Sequence, residues 1–291
     1  MTRNVTVGLD GSPESRAAAA WAAREASLRE VPLRLVHVEE WPTTAAVPMA
    51  GPEVQQRWAD KVLTDAAVEL GKRHPGLEIT TRQLSGRPAA ALPIEAADAE
   101  MLVLGSRGLG SIMGFLIGSV GMATVSATEQ PVVLVRAPNG QDKETRTGSG
   151  DAEQPAYRDV VVGVDINQPC DKVLGFAFDE AVRRGCTLRA VHGWTLPLVY
   201  SYAPMVEVGQ QIEQGLSDLL LPWRQKFPSV QVVEQTFVAP PAHQLVHSAA
   251  DADLVVVGRR LRRAPLRAHI GPVAHAVMHH SAAPVAVVPH D

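Results

Sequence analysis

The stretch Gly105-Ser106-Arg107-Gly108, followed by Gly118-Ser119, has residue types and a spacing that point to chemistry. As a pattern it is G-x2-G-x9-G-S, and it sits directly behind the apolar run Met101-Leu102-Val103-Leu104. A buried strand that opens into glycines and then into a helix start is a way to hold phosphate. Main-chain N–H groups reach the anion where no Cβ intrudes, and the helix N-terminus adds partial positive charge. Asp10 stands in a comparable place, just after the run Val5-Thr6-Val7-Gly8-Leu9.

Other groups suited to chemistry are weaker. His243 and His247 share a helical face by spacing, as do His275 and His279, and such pairs bind Zn²⁺ or Ni²⁺. No H-E-x-x-H pattern accompanies them, so solvated histidines are expected and no metal site is assigned. His37 and His192 end strand-like runs, but no nucleophile is fixed beside them, and local hydrogen bonding is the expectation. There is no G-x-x-x-x-G-K-[ST] loop, which excludes a P-loop NTPase, and no full G-x-G-x-x-G behind a strand.

The elements that position these residues occur twice. Asn4-Val-Thr-Val-Gly-Leu-Asp10 aligns with Asp159-Val-Val-Val-Gly-Val-Asp165, and Leu33-Arg-Leu-Val-His37 with Leu188-Arg-Ala-Val-His192. After one short deletion, Pro88 aligns with Pro241, Gly105 with Gly258 and Gly118 with Gly271. The chain is a duplicated domain: residues 1–137 and 158–291, joined by 138–157, whose Gly, Ser, Thr and charge predict a flexible linker. In the first copy the patterns predict strands over 5–9, 33–38, 79–84, 101–104 and 132–135. Helices are expected over 13–29, with Ser12 as N-cap, and over 54–72, 88–97 and 119–128, with a kink or break at Pro93. Continuous β-branched strands alternating with helices give an α/β fold. Each copy should be a five-stranded parallel sheet in the order 3-2-1-4-5, with helices on both faces. Its ligand crevice lies at the strand carboxyl ends, where Asp10 and Gly105 meet.

With 291 residues the chain is comfortable for two cores. A net charge of −4 argues for neither a nucleic-acid nor a membrane partner, and the longest apolar stretch is too short and too glycine-rich to span a bilayer. Met1-Thr2-Arg3-Asn4 leads straight into a strand pattern, so no secretory leader is expected. Two cysteines, Cys170 and Cys186, give no disulfide framework, and a cytoplasmic location is expected.

On Val-Gly-Leu-Asp10, Leu-Val-His37-Val38 and the glycine signature, the chain resembles the universal stress protein family in its tandem form, specifically the ATP-binding branch. That resemblance implies Rossmann-like (HUP-type) domains and ATP, with or without Mg²⁺, as ligand. It also implies domain pairing through the last strands, within one chain or in a homodimer, and a regulatory role in stress or dormancy with catalysis slow or absent. By the same resemblance Asp10 bonds the adenosine, Gly8 lets the nucleotide lie close, and Val38 meets the adenine through its backbone. Gly105, Ser106, Arg107 and Gly108 wrap ribose and first phosphate, and Gly118, Ser119 and Val120 cradle the outer phosphates. Residues 41–51 are placed to cover the crevice. The alternative is a slow ATPase or nucleotidyl-transferring enzyme using the same pocket.

The second copy keeps Gly163, Asp165, Gly258 and Gly271 but departs elsewhere. Leu261 replaces Gly108, Pro272 replaces Ser119 and Gly193 replaces Val38. Either this pocket is degenerate, or the cluster Arg259, Arg260, Arg262, Arg263 and Arg267 restores the lost phosphate contacts. Degeneracy is favoured, because lost main-chain geometry is hard to restore with flexible side chains.

Overall fold

In a computed structural model the chain forms two compact units, Met1–Asp151 and Ala152–Asp291. The structure describes residues 3–40, 52–106, 117–137, 157–168, 170–195, 204–261 and 270–291. Residues 138–156 of the expected linker, the covering segment 41–51, Arg107, Gly108, Arg262, Arg263 and Arg267 lie outside the described residues.

The first unit runs β1 (Asn4–Gly8), α1 (Pro13–Arg29), β2 (Leu33–Glu39), α2 (Pro52–Arg73), β3 (Ile79–Ser85), α3 (Pro88–Ala96), β4 (Ala99–Ser106), α4 (Ser119–Ala127) and β5 (Val132–Arg136). Its strands lie in the order β3-β2-β1-β4-β5, all parallel. The second unit runs β6 (Val160–Gly163), α5 (Asp171–Arg184), β7 (Leu188–Trp194), α6 (Pro204–Lys226), β8 (Val232–Val238), α7 (Pro241–Ser248), β9 (Leu254–Arg260), α8 (Pro272–His280) and β10 (Val285–His290). Its strands repeat that order as β8-β7-β6-β9-β10, again parallel. Val5, Val7, Val103, Val160, Val161 and Val162 are fully buried, as expected of central strands covered on both faces.

Local sequence explains the helix ends. Ser12 caps α1 in an extended conformation and its Oγ accepts from Ser15 N at 3.1 Å, while Pro13 occupies the first turn. Helix α3, in contrast, runs unbroken through Pro93, where a kink or break was expected. The proline removes a single main-chain bond, and buried neighbours hold the turn in place. Leu92 and Ala96 pack inward, and Glu95 accepts from Arg34 at 3.0 Å and Arg82 at 2.9 Å. Packing outweighs the local penalty here.

One ion pair is duplicated inside the protein. Glu25 and Arg29 on α1 meet at 2.6 Å with both side chains buried, and Arg29 also reaches Glu100 at 2.9 Å. Glu180 and Arg184 form the same i,i+4 pair on α5, and both are buried.

Candidate functional site

The first crevice forms where β1 and β4 end side by side, in the register Val7↔Val103. Asp10 follows β1 and is exposed; its Oδ1 accepts from Ser12 N at 3.0 Å and from Ser12 Oγ at 2.5 Å. The carboxylate therefore shapes the turn into α1 as well as facing the strand ends. His37 Nδ1 lies 2.7 Å from Leu9 O, and because a carbonyl only accepts, that nitrogen carries the proton. Gly11 has φ +79°, and a Cβ there would stand 2.8 Å from the Trp58 indole. Trp58 in turn meets His37 edge-on, with ring centroids 5.4 Å apart. The indole is half exposed and stands at the ends of β1 and β2.

Among the glycines and hydroxyls singled out from sequence, three have internal reasons to be what they are. Gly105 lies against the main chain of Glu14 and Ser15, so its missing Cβ lets α1 seat on β4. A Cβ on Gly8 would stand 2.8 Å from Leu104, with Leu92 of α3 beyond. Ser106 is buried and its Oγ donates to Val135 O at 3.3 Å, so its hydroxyl serves the sheet and any ligand contact falls to its main chain.

Gly118 is different. It is the N-cap of α4 with φ −62°, a conformation open to any residue, and among the described residues no side chain caps the helix and a Cβ would meet nothing within 4 Å. Gly271, its counterpart at the start of α8, has φ −60° and, among the described residues, equally open space. Nothing among the described residues asks for glycine at either place. Ser119 is exposed beside Gly118, Val120 is half buried, and Val38 lies on β2 in register with Leu84. Sequence motifs pointed to neither Trp58 nor Arg136 as part of the crevice. Arg136 ends β5 in register with Ser106, and burial pushes its guanidinium down to about 10, still a cation at neutral pH. Neither residue belongs to a motif, so no sequence signal marked it.

In the second unit the equivalent crevice is an open cavity of about 640 Å³. Gly163, Asp165, Gly193, Gly258, Gly271, Pro272 and Val273 all line it. These align with Gly8, Asp10, Val38, Gly105, Gly118, Ser119 and Val120, so the fold gathers the aligned positions around one space. The supporting bonds repeat too: Asp165 Oδ1 accepts from Asn167 N at 3.0 Å, and His192 Nδ1 donates to Val164 O at 2.8 Å. Two differences alter the walls. Helix α5 begins only at Asp171, with Cys170 as N-cap, so the first turn of α1 has no counterpart. Gly258 then lies against His290 and Val173 where Gly105 lies against helix main chain. The histidine pairs expected to be solvated sit on α7 and α8; the His275 and His279 rings lie 4.3 Å apart, tilted by 37°. Among the described residues no group of three or more His, Cys, Asp or Glu is placed to hold a metal ion.

Residues 1–136 and 156–289 each match the model of the Universal stress protein family. A universal stress protein of Mycobacterium tuberculosis is 33% identical over 292 residues, covering 97% of this chain and 96% of the relative. One from Mycolicibacterium smegmatis is also 33% identical, with 98% and 96% covered. The crystal structure of a universal stress protein from Archaeoglobus fulgidus superposes with a TM-score of 0.73 at 14% identity, over 100% of both chains, a likeness of fold. Among the described residues no helix is long and apolar enough to cross a membrane.

Proposed function

This chain belongs to the universal stress protein family, and from that premise we propose that it is an ATP-binding regulator whose first unit carries the nucleotide. Gly118 carries the reading. A helix N-terminus that has ordinary backbone angles and, among the described residues, no capping side chain and empty space at the Cβ position is a cradle that a side chain would fill. Asp10 and the end of β2 at Val38 would hold the ribose and base, with Trp58 alongside. The main chain of 105–106, with Gly118 and Ser119, would take the phosphates, and Arg136 adds a cation at the end of β5. Mg²⁺ would enter on the phosphates. The chain binds without rapid turnover, and occupancy adjusts its assembly or its hold on a partner, because ATP favours the conformation it binds better.

Calorimetric titration of the full chain tests this. One ATP bound per chain is expected, together with a change in mass or partner binding between loaded and empty protein. An absence of binding, or turnover above about 1 s⁻¹ as in ordinary enzymes, would overturn it.

A further inference from the structure

We infer that the outer edge of β8 is a docking surface for a second copy of this chain, the two β8 strands pairing antiparallel about Gln235. The inference is independent of the nucleotide reading above, and it uses the edge of the sheet opposite the last strand.

Strand β8 pairs with β7 in an unbroken parallel register from Leu188↔Val232 to Trp194↔Val238, and among the described residues no strand pairs with its other side. Leu188 N donates to Gln231 O at 2.9 Å, so Gln231, Val233, Gln235 and Phe237 turn their main-chain groups toward β7. Val232, Glu234, Thr236 and Val238 therefore turn theirs outward. Arg224 donates to one of these, Val232 O, at 3.2 Å. The stretch from Glu234 to Val238 presents outward N–H and C=O groups, and it holds no Pro, Lys, Arg or bulge of the kind that blocks strand addition. All of its residues are partly exposed, Val238 by 51%.

The strand is complementary to itself. A two-fold axis through Gln235 sets Glu234 opposite Thr236, Val233 opposite Phe237 and Val232 opposite Val238 of the second copy. Glu234 and Thr236 both face outward, so each such pair exchanges two main-chain hydrogen bonds. The two Gln235 residues form the non-bonded pair between them, with Cα atoms about 4.5 Å apart. Val then faces Val or Phe, a carboxylate faces a hydroxyl, and no like charges meet. Gln235 Oε1 is buried with no hydrogen-bond partner among the described residues, and a second amide opposite it brings a donor. The duplicated strand differs at this one decisive place. Gln235 aligns with Arg82 of β3, whose main chain faces β2 in the same way because Leu33 N donates to Glu78 O at 2.9 Å. The same two-fold pairing on β3 would set Arg82 against Arg82, a like-charge pair that opposes it. The neutral amide on β8 removes that barrier.

Light scattering of the full chain without nucleotide, together with oxidative crosslinking, tests this. The parent should have twice the mass of Gln235→Arg at the same concentration, with a native melting profile in both. Gln235→Cys should give a covalent dimer joined through position 235, mapped by peptide mass, because Cα atoms at that separation accept a disulfide. Arg82→Cys, the aligned change on β3, should give none through position 82. Equal masses for parent and Gln235→Arg overturn the inference, and so does a parent mass that climbs steadily with concentration as copies join head to tail. Absence of the crosslink at position 235, or equal crosslinking at both positions, overturns it as well. Failure of the nucleotide reading would appear in the ATP titration and leave these nucleotide-free measurements unaffected.

Discussion

A Cβ on Gly105 would stand 2.6 Å from the carbonyl carbon of Glu14 and 2.7 Å from Ser15 N, so β4 and the first turn of α1 meet main chain to main chain. Neither partner is a flexible side chain, and neither can yield without moving a helix. Gly105→Ala should therefore destabilise the first unit by about 1–3 kcal/mol, the usual range for overpacking. Urea unfolding measures it; a variant as stable as the parent would contradict the packing role. Loss of ATP binding in this variant would report a displaced α1, so it is a poor probe of the phosphates.

The Glu180–Arg184 pair on α5 predicts a larger effect. Both side chains are buried, and removing the Glu180 charge takes away the carboxylate that offsets a buried guanidinium. Glu180→Gln should cost about 3–5 kcal/mol, whereas replacing both residues with apolar ones of similar volume should cost far less. The two unfolding midpoints decide it. Equal losses would mean that shape, not charge, holds this helix in place.

Acid should weaken the last helix. His275 is exposed; slight desolvation against its helix, then the neighbouring charges of His279 and His280, hold its imidazole below the usual 6.5. A group whose folded value is depressed adds stability above its unfolded value and loses it as pH falls through the folded one. Stability should thus decline as pH drops below about 6.5, and His275→Gln should flatten that part of the profile. Melting temperatures from pH 7.5 to 5 in parent and variant measure the difference. Parallel curves would contradict it.

What the sequence could and could not announce follows from where the physics lies. The Val-rich strands, the Ser12-Pro13 helix start and the repeat itself are local patterns, and the elements form where those patterns stand. The aligned positions around Asp165, Gly258 and Gly271 do line one cavity. Reasons for individual residues were less legible, because they depend on what lies across the sheet. Gly105 and Gly118 look alike in a motif, yet one is pressed against a helix and the other faces open space. Ser106 is expected to wrap ribose and first phosphate, and only Val135 O beside it shows that its hydroxyl is used by the sheet. Nothing in the spacing of Glu25 and Arg29 announces that their side chains are buried. Pro93 predicts a break that Leu92, Glu95 and Ala96 prevent through contacts distant in sequence.

The most direct measurement uses Gly118→Asp, where two effects are expected to run in opposite directions. A carboxylate at the N-cap of α4 should bond the free helix N–H groups and raise the stability of the ligand-free protein by up to about 1 kcal/mol. The same carboxylate would occupy the cradle and repel phosphate. The account predicts a melting temperature at or above that of the parent without nucleotide, and loss of the upward shift that ATP gives the parent. An ATP-induced shift of parental size in Gly118→Asp would contradict it.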